Sequence, residues 1–439
     1  MAVTRRQFHS LALGAGALTA VSMLPKPALA AASAKVVIIG GGFAGVTVAT
    51  RLKAANSALD ITLVEPKKTY TTCVYSNLYL GGFRSFKSLT HNYAAVKARG
   101  ITVITDVASD IDTVAKTVTL ANASAPLAYD RLVVAPGIDI KYDSVIGYSP
   151  AAAEIMPHAW QAGPQTLLLK KKLLSLPDGG LVVMTVPPNP YRCPPGPYER
   201  ACMIGHFLKT RKPKSKLIVF DAKSTFSKQA VFEEAFAEHY KGIVELNLTN
   251  EIDDFAVDRV DAATGEVVTK TGRKERAALA NIIPSQRAGA IAGKIGLMDG
   301  DWCPINPENF TSALVKEVYV LGDAAKAAEM PKSAFTAISQ AGVVAEDILA
   351  DLSGKPRVSG TYRNTCWSMV APENSAKIGA DYKPGMKDGK PFLEPVSPFI
   401  SAPGETTQLR RETFLESAAW YDSAMNDLFG AALPNDGAR

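Results

Sequence analysis

No stretch of this 439-residue sequence stays apolar long enough to cross a bilayer. The longest run, Leu11 to Leu24, is about fourteen residues and rich in glycine and alanine, where a span needs roughly twenty. Nor is there any Cys-x-x-Cys-His, so the chain attaches no c-type haem covalently. Histidines number only 5, and the one pairing at helical spacing, Cys202 with His206, is too sparse for a metal site. Positive charge is also in short supply. The net +6 includes Arg5, Arg6 and Lys26 in the first thirty residues, and what is left is too little to bind nucleic acid. With 47% hydrophobic and 21% charged residues, what remains is an ordinary soluble composition with room for two or three domains.

The basic residues near the start have a local meaning. Thr4-Arg5-Arg6-Gln7-Phe8, the short apolar run and Ala28-Leu29-Ala30 read as a twin-arginine signal over residues 1–30 with a small-residue cleavage site. The expectation is export of a folded, cofactor-loaded protein to the periplasm, where a disulfide among the five cysteines is admissible.

Beyond the signal, Lys35 to Ile39 runs as a strand into Gly40-Gly41-Gly42-Phe43-Ala44-Gly45. A helix from Val46 to Ala54 and a second strand ending in Glu65 follow. Glycines let the backbone approach a pyrophosphate, a helix N-terminus offers N–H donors, and Glu65 can accept from a ribose hydroxyl. Further on, Lys316 to Asp323 is a strand ending in Gly322-Asp323, followed by a helix from Ser333 to Leu349. Between the two, Tyr129 to Gly137 is a strand closed by Ala135-Pro136-Gly137. This order resembles the two-dinucleotide-domain flavoproteins and implies FAD, with Asp323 on the ribityl chain and the helix behind Ser333 aimed at the flavin.

A second strand–helix–strand unit spans Gly180 to Val186, Tyr198 to Lys209 and Leu217 to Asp221. Its turn is Pro187-Pro188-Asn189-Pro190-Tyr191-Arg192-Cys193, then Pro194-Pro195-Gly196-Pro197-Tyr198-Glu199-Arg200. Prolines supply no N–H to a pyrophosphate, so this reads as a degenerate NAD module that takes no NAD. They also exclude strand and helix, which puts Cys193 on a stiff loop. In a proline-walled pocket a Glu199 carboxyl would be pushed toward neutral pH as a proton carrier, or it would pair with Arg192 or Arg200.

Taken together, Tyr70 to Asn77, Arg192 to Arg200, Ile283 to Gly289, Trp302-Cys303-Pro304 and Asn364-Thr365-Cys366 resemble the flavoprotein subunit of flavocytochrome c sulfide dehydrogenase, from about Lys35 to Gly430. The resemblance implies that Cys73 is joined by a thioether to FAD, and that Cys193 and Cys366 form a redox disulfide beside the flavin with Glu199 close by. Asn77 and Gly137 belong to its flavin site. Hydrosulfide would be the substrate, and a dihaem c-type cytochrome subunit in a heterodimer would accept the electrons. A sulfide:quinone oxidoreductase, a non-catalytic flavoprotein that reactivates a sulfur-oxidation partner, and an NADH dehydrogenase are the competing readings. The fold expected is α/β: an FAD-binding domain over 35–150 and 285–350, a second Rossmann-like domain over 151–284, and a C-terminal α+β domain over 355–439 that contributes Cys366. That last segment, rich in proline and glycine, is expected to be irregular, ending in an amphipathic helix from Arg411 to Leu428 packed on the protein or a partner.

Overall fold

The computed structural model describes residues 33–250 and 254–430. The expected twin-arginine segment lies outside them, as does 431–439. In chain order come β1 (Lys35–Ile39), α1 (Phe43–Ala55), β2 (Asp60–Val64), α2 (Ser76–Gly81), β3 (Thr102–Ile104) and β4 (Arg131–Val134). Next are β5 (Leu181–Val186), α3 (Gly196–Arg211), β6 (Lys216–Asp221), α4 (Gln229–His239), β7 (Val244–Leu248) and β8 (Leu279–Ile282). The chain continues with β9 (Val318–Val320), α5 (Ala334–Leu352), β10 (Tyr362–Ala371), β11 (Asn374–Lys387), β12 (Lys390–Ile400) and α6 (Thr407–Phe429).

The strands of the first unit are nearly continuous runs of Val, Ile and Leu because both faces of this parallel sheet are buried. They assemble in the order β9-β4-β1-β2-β3, every neighbouring pair parallel. A second all-parallel sheet has the order β7-β6-β5-β8. Between them the chain crosses twice, and the two crossings pair antiparallel through Ile138–Ile140 and Gln286–Ala288. Glycine turn and strand-end chemistry therefore sit at the carboxyl ends of two parallel sheets, where such folds bind ligands.

Two local expectations need correction. Pro197 lies inside the first turn of α3 rather than on a loop, with Pro195 as the N-cap residue. A first-turn residue needs no intrahelical N–H bond, so proline fits there. The C-terminal segment is regular rather than irregular, since β10, β11 and β12 form an antiparallel meander. Its prolines fall where a missing donor is harmless. Pro391, Pro395 and Pro398 are on β12, an edge strand, and Pro384 lies past Tyr382, where pairing of β11 with β10 has ended.

Helix α6 buries Arg410, Thr413, Ser417, Tyr421, Ala424, Met425, Leu428 and Phe429, a stripe at intervals of three and four. It packs on the protein, as expected. The Tyr421 hydroxyl bonds Thr72 Oγ1 at 2.9 Å, Ser417 Oγ bonds the Tyr75 hydroxyl at 2.7 Å, and Phe429 stacks on Tyr70. This helix thus braces the segment that carries Cys73.

Candidate active site

The glycine turn is shaped by close backbone contact. Gly40 has φ 103°, and a Cβ on it would lie 2.2 Å from the Ala135 carbonyl oxygen; one on Gly45 would lie 1.9 Å from the Gly40 carbonyl oxygen. Both positions therefore require glycine. Helix α1 begins at Phe43 with Gly42 as its N-cap and no side-chain cap, so its first N–H groups are left for a ligand. Phe43 and Ala44 are buried beneath it. Glu65 stands beside the turn and accepts the Gly41 N–H at 2.8 Å.

Gly322 (φ 72°) donates its N–H to Gln340 Oε1 and comes so near α1 that a Cβ would meet Ala44 at 3.2 Å. The strand-end signature and the glycine turn accordingly meet, with Asp323 next to them. Gly137 (φ 70°) turns the chain out of the sheet, its carbonyl accepting the Gly289 N–H. Close-approach glycines, an uncapped helix and two flanking acids fit FAD: the turn for pyrophosphate, Glu65 for a ribose, Asp323 for the ribityl hydroxyls.

Three thiols line one cavity, namely Cys73, Cys193 and Cys366, together with Asn77, Glu199 and Ser333. The N-terminus of α5 gathers the last two cysteines. Lys332 O accepts the Cys193 N–H at 2.8 Å, and Ser333, the N-cap of α5, donates to Asn364 Oδ1 at 2.7 Å. Asn364 in turn lies 3.5 Å from the Cys366 sulfur. Cys193 is held in the left-handed region at φ 58°, and its carbonyl accepts the Gly196 N–H. Gly196 is a steric requirement, because a Cβ there would lie 2.9 Å from Cys193 Sγ and 3.0 Å from the Trp160 ring. Cys73 sits just ahead of α2, where its carbonyl accepts both the N–H and the hydroxyl of Ser76.

None of the five cysteines is joined to another, and Cys193 and Cys366, the pair expected to form a redox disulfide, line a common cavity. Cys202 and Cys303 are buried away from it, as structural cysteines would be.

The two alternatives for Glu199 part here. Neither arginine pairs with it: Arg200 bonds Asn77 Oδ1, Asn281 Oδ1 and the His158 and Ala159 carbonyls, while Arg192 bonds the Trp160 carbonyl and faces Asp323 at 3.9 Å. Instead Glu199 accepts from Asn77 Nδ2 at 2.8 Å and from the Met369 N–H at 2.9 Å. Burial raises its pKa above the ordinary carboxyl value against the pull of those two bonds, Lys228 and Arg200. Asn77, expected to touch the cofactor, has its amide taken by Glu199, Gly196 O and Arg200.

Burial also pushes up all three cavity thiols, Cys193 well above the usual range with Cys366 and Glu199 adding to the rise. For Cys366 the Lys228 ammonium and bonds from Asn364 and Ser333 work the other way. Desolvation lowers Arg200 to about 9 and both Lys228 and Lys332 to about 8. Lys332 rests over the Trp302 ring at 3.7 Å.

Phe335, Trp367 and Trp420 form a mutual aromatic wall with ring centres 5.3 to 5.9 Å apart, and Arg200 lies over Trp160 at 4.8 Å. Among the described residues the indole nitrogens of Trp160 and Trp367 are buried without a partner. None of these, nor Lys228 and Lys332, carries a local sequence signal.

In the second sheet the acid ending β6, Asp221, is fully buried and bonded by the Tyr198 hydroxyl and Lys223 Nζ, each at 2.5 Å. Tyr198 stacks on Phe226 with ring centres 3.5 Å apart.

Comparison with known proteins agrees with this geometry. Residues 34–170 match the pyridine nucleotide-disulphide oxidoreductase family profile, 166–284 the profile "sulfide dehydrogenase [flavocytochrome c] flavoprotein chain, central", and 358–429 "flavocytochrome c sulphide dehydrogenase, flavin-binding". That last profile spans β10 to α6, the segment that carries Cys366. The flavoprotein chain of sulfide dehydrogenase from Chlorobaculum thiosulfatiphilum is 44% identical over 43 residues, 10% of this chain and 90% of that sequence. Mouse mitochondrial sulfide:quinone oxidoreductase is 21% identical over 316 residues, 71% of this chain and 69% of that one. The sulfide:quinone oxidoreductase of Aquifex aeolicus has a similar fold, with a TM-score of 0.72 at 18% identity over 91% of this chain and 93% of its own. Together with the three-thiol cavity, these matches mean that the chain belongs to the flavocytochrome c sulfide dehydrogenase flavoprotein family.

Proposed function

We propose that this chain is an exported flavoprotein that oxidises hydrosulfide and hands the electrons singly to a c-type cytochrome subunit. One observation carries the reading: Cys193 and Cys366, far apart in sequence, line a single cavity with Cys73 at the N-terminus of α5. Hydrosulfide attacks one sulfur of the oxidised pair and yields a persulfide and a thiolate. Bound FAD would supply a two-electron acceptor that can release electrons one at a time. Cys73 is the residue for covalent attachment, Glu199 moves protons, and the aromatic wall keeps water from the sulfur. The twin-arginine sequence supports a periplasmic location. The match to the flavocytochrome c flavoprotein profile supports a separate c-type cytochrome, read here as a dihaem subunit bound as a heterodimer. The proline turn and the internally satisfied Asp221 support a reaction without NAD.

The similarity to sulfide:quinone oxidoreductases favours quinone as the alternative acceptor, although among the described residues no helix is long and apolar enough to cross a membrane. The deciding experiment is anaerobic titration of the flavin-loaded chain with sulfide, followed by oxidised cytochrome c or a short-chain quinone. Bleaching reversed by cytochrome alone supports the proposal, and reversal by quinone alone refutes the cytochrome step. No bleaching, together with tight binding to a sulfur-oxidation partner, would favour the reactivating role.

A further inference from the structure

Among the charged groups around the cysteine pair, Lys228 reaches Cys366 without a bonded carboxylate. It precedes α4 in the left-handed region at φ 62°, is 2% exposed, and reaches across to the C-terminal meander. Its ammonium finds Ser368 Oγ at 2.7 Å, the carbonyl of Cys366 itself at 3.1 Å and the Ala376 carbonyl at 3.5 Å. None of these is a carboxylate. Its direct bonds therefore leave much of a buried charge uncompensated, with Glu199 acting on it only from beyond bonding distance.

We propose that Lys228 is the counter-cation for the negative sulfur that forms at Cys366 when the cysteine pair is opened. The inference rests on reading Cys193 and Cys366 as the reacting pair. Charge conservation gives it force, because hydrosulfide brings one negative charge into a buried site and no step of the opening removes it. Attack on Cys193 forms an S–S bond to the incoming sulfur and breaks the bond to Cys366, whose sulfur keeps the electron pair as a thiolate. Attack on Cys366 leaves the thiolate on Cys193 and a persulfide on Cys366. That route leaves no anion at Cys366, so the placement of Lys228 at the Cys366 carbonyl favours attack on Cys193.

The surroundings of the two sulfurs differ in the matching sense. Cys366 has Lys228, Asn364 and Ser333 to support an anion, whereas Cys193 has Arg192 opposed by Glu199, Cys73 and Cys366. The groups facing the Lys228 ammonium are Cys366 and Ser368 from β10, Glu199 from α3, Cys193 from the turn before it, Phe232 from α4 and Arg410 from α6. Arg410 is engaged by Glu234 and Glu405, each at 3.0 Å.

The test is the pH dependence of Cys366 alkylation in reduced, flavin-loaded protein carrying Cys193→Ser, read by peptide mass spectrometry. Access to the sulfur alters the rate but not the pH midpoint. Lys228→Met, of similar length and without charge, should raise the midpoint by about one unit or more, or roughly tenfold slower alkylation at a fixed pH below it. Lys228→Arg should hold it near the parent value. An unchanged midpoint in Lys228→Met, with the protein still folded by thermal melt, would overturn the proposal, since a purely structural lysine would change the melt and leave the midpoint alone. Sulfide-dependent bleaching with both cysteines intact tests the function separately. If it is absent while the midpoint still shifts, the sulfide reading fails and the Lys228–Cys366 coupling stands.

Discussion

Replacing Glu199 by glutamine should both loosen the cavity wall and slow the sulfur chemistry, and the hydrogen bonds explain why the change is not conservative. Each carboxylate oxygen accepts from an N–H donor, Asn77 Nδ2 on one and the Met369 amide on the other. Glutamine keeps one acceptor and turns two donors toward the second partner. Asn77 cannot rotate to help, because its Oδ1 is held by Arg200 Nε at 3.0 Å and its Nδ2 also donates to Gly196 O at 3.0 Å. A flip would set donor against donor and acceptor against acceptor. One charge-assisted bond is therefore lost, about 1.5 kcal/mol at a half-buried site.

The kinetic effect is larger if Glu199 moves protons: about 10²-fold or more, the usual range for a general acid or base. Burial raises its pKa in the folded protein. Wild-type flavin reduction by sulfide should then show a pH limb above the ordinary carboxyl value, absent from Glu199→Gln. Stability follows the same shift: the folded state holds the proton more tightly than the unfolded chain. The resulting stabilisation is full below the unfolded pKa and is lost as pH rises through the raised folded pKa. Anaerobic stopped-flow bleaching across that range is the assay, with thermal melts alongside. A glutamine variant with wild-type rate, pH profile and melting would refute both the proton role and the hydrogen-bond reasoning.

Three further outcomes follow from the geometry. Cys73→Ala should abolish yellow fluorescence on the protein band after denaturing electrophoresis, and a wild-type band without it would remove Cys73 as the attachment point. Gly45→Ala drives a Cβ to 1.9 Å from a carbonyl oxygen. It should destabilise the first unit by about 1–3 kcal/mol or more and sharply lower the ratio of flavin to protein absorbance; normal flavin content would contradict the cradle. Gly196→Ala places a methyl 2.9 Å from Cys193 Sγ, outside the FAD turn. Sulfide-dependent bleaching should fall at least tenfold with flavin retained, and an unchanged rate would mean that the sulfur position is not critical.

Much of this was legible because its causes are local. A backbone that must approach a pyrophosphate needs glycine at fixed offsets, and β1, α1 and β2 follow one another within about thirty residues. Pro197 was not legible in this way, because a proline cannot continue a helix but begins one well, and sequence alone does not say which side of the boundary it occupies. The meander β10 to β12 was hidden by prolines whose missing N–H groups point off an edge, a fact that exists only once the sheet is assembled. The absence of an ion pair at Glu199 was equally invisible, for Arg200 lies next to it in sequence and yet spends its donors on residues 77, 158, 159 and 281.

Several buried charges lie in or beside the cavity. Arg192, Arg200 and Glu199 line it, Lys228 bonds the Cys366 carbonyl and Asp323 faces Arg192 and Lys332, and each of these groups is buried or half-buried. Such an excess of cations costs stability in the resting protein, since desolvation lowers the pKa of Arg200, Lys228 and Lys332. A site built only to store a disulfide would need none of it. The arrangement is intelligible for a reaction that brings an anion in and leaves it on sulfur, with the Arg192, Lys332 and Asp323 group on the Cys73 side and the Lys228, Arg200 and Glu199 group around the pair. Cost in the ground state and gain in the charged intermediate are then two sides of the same electrostatic preorganisation.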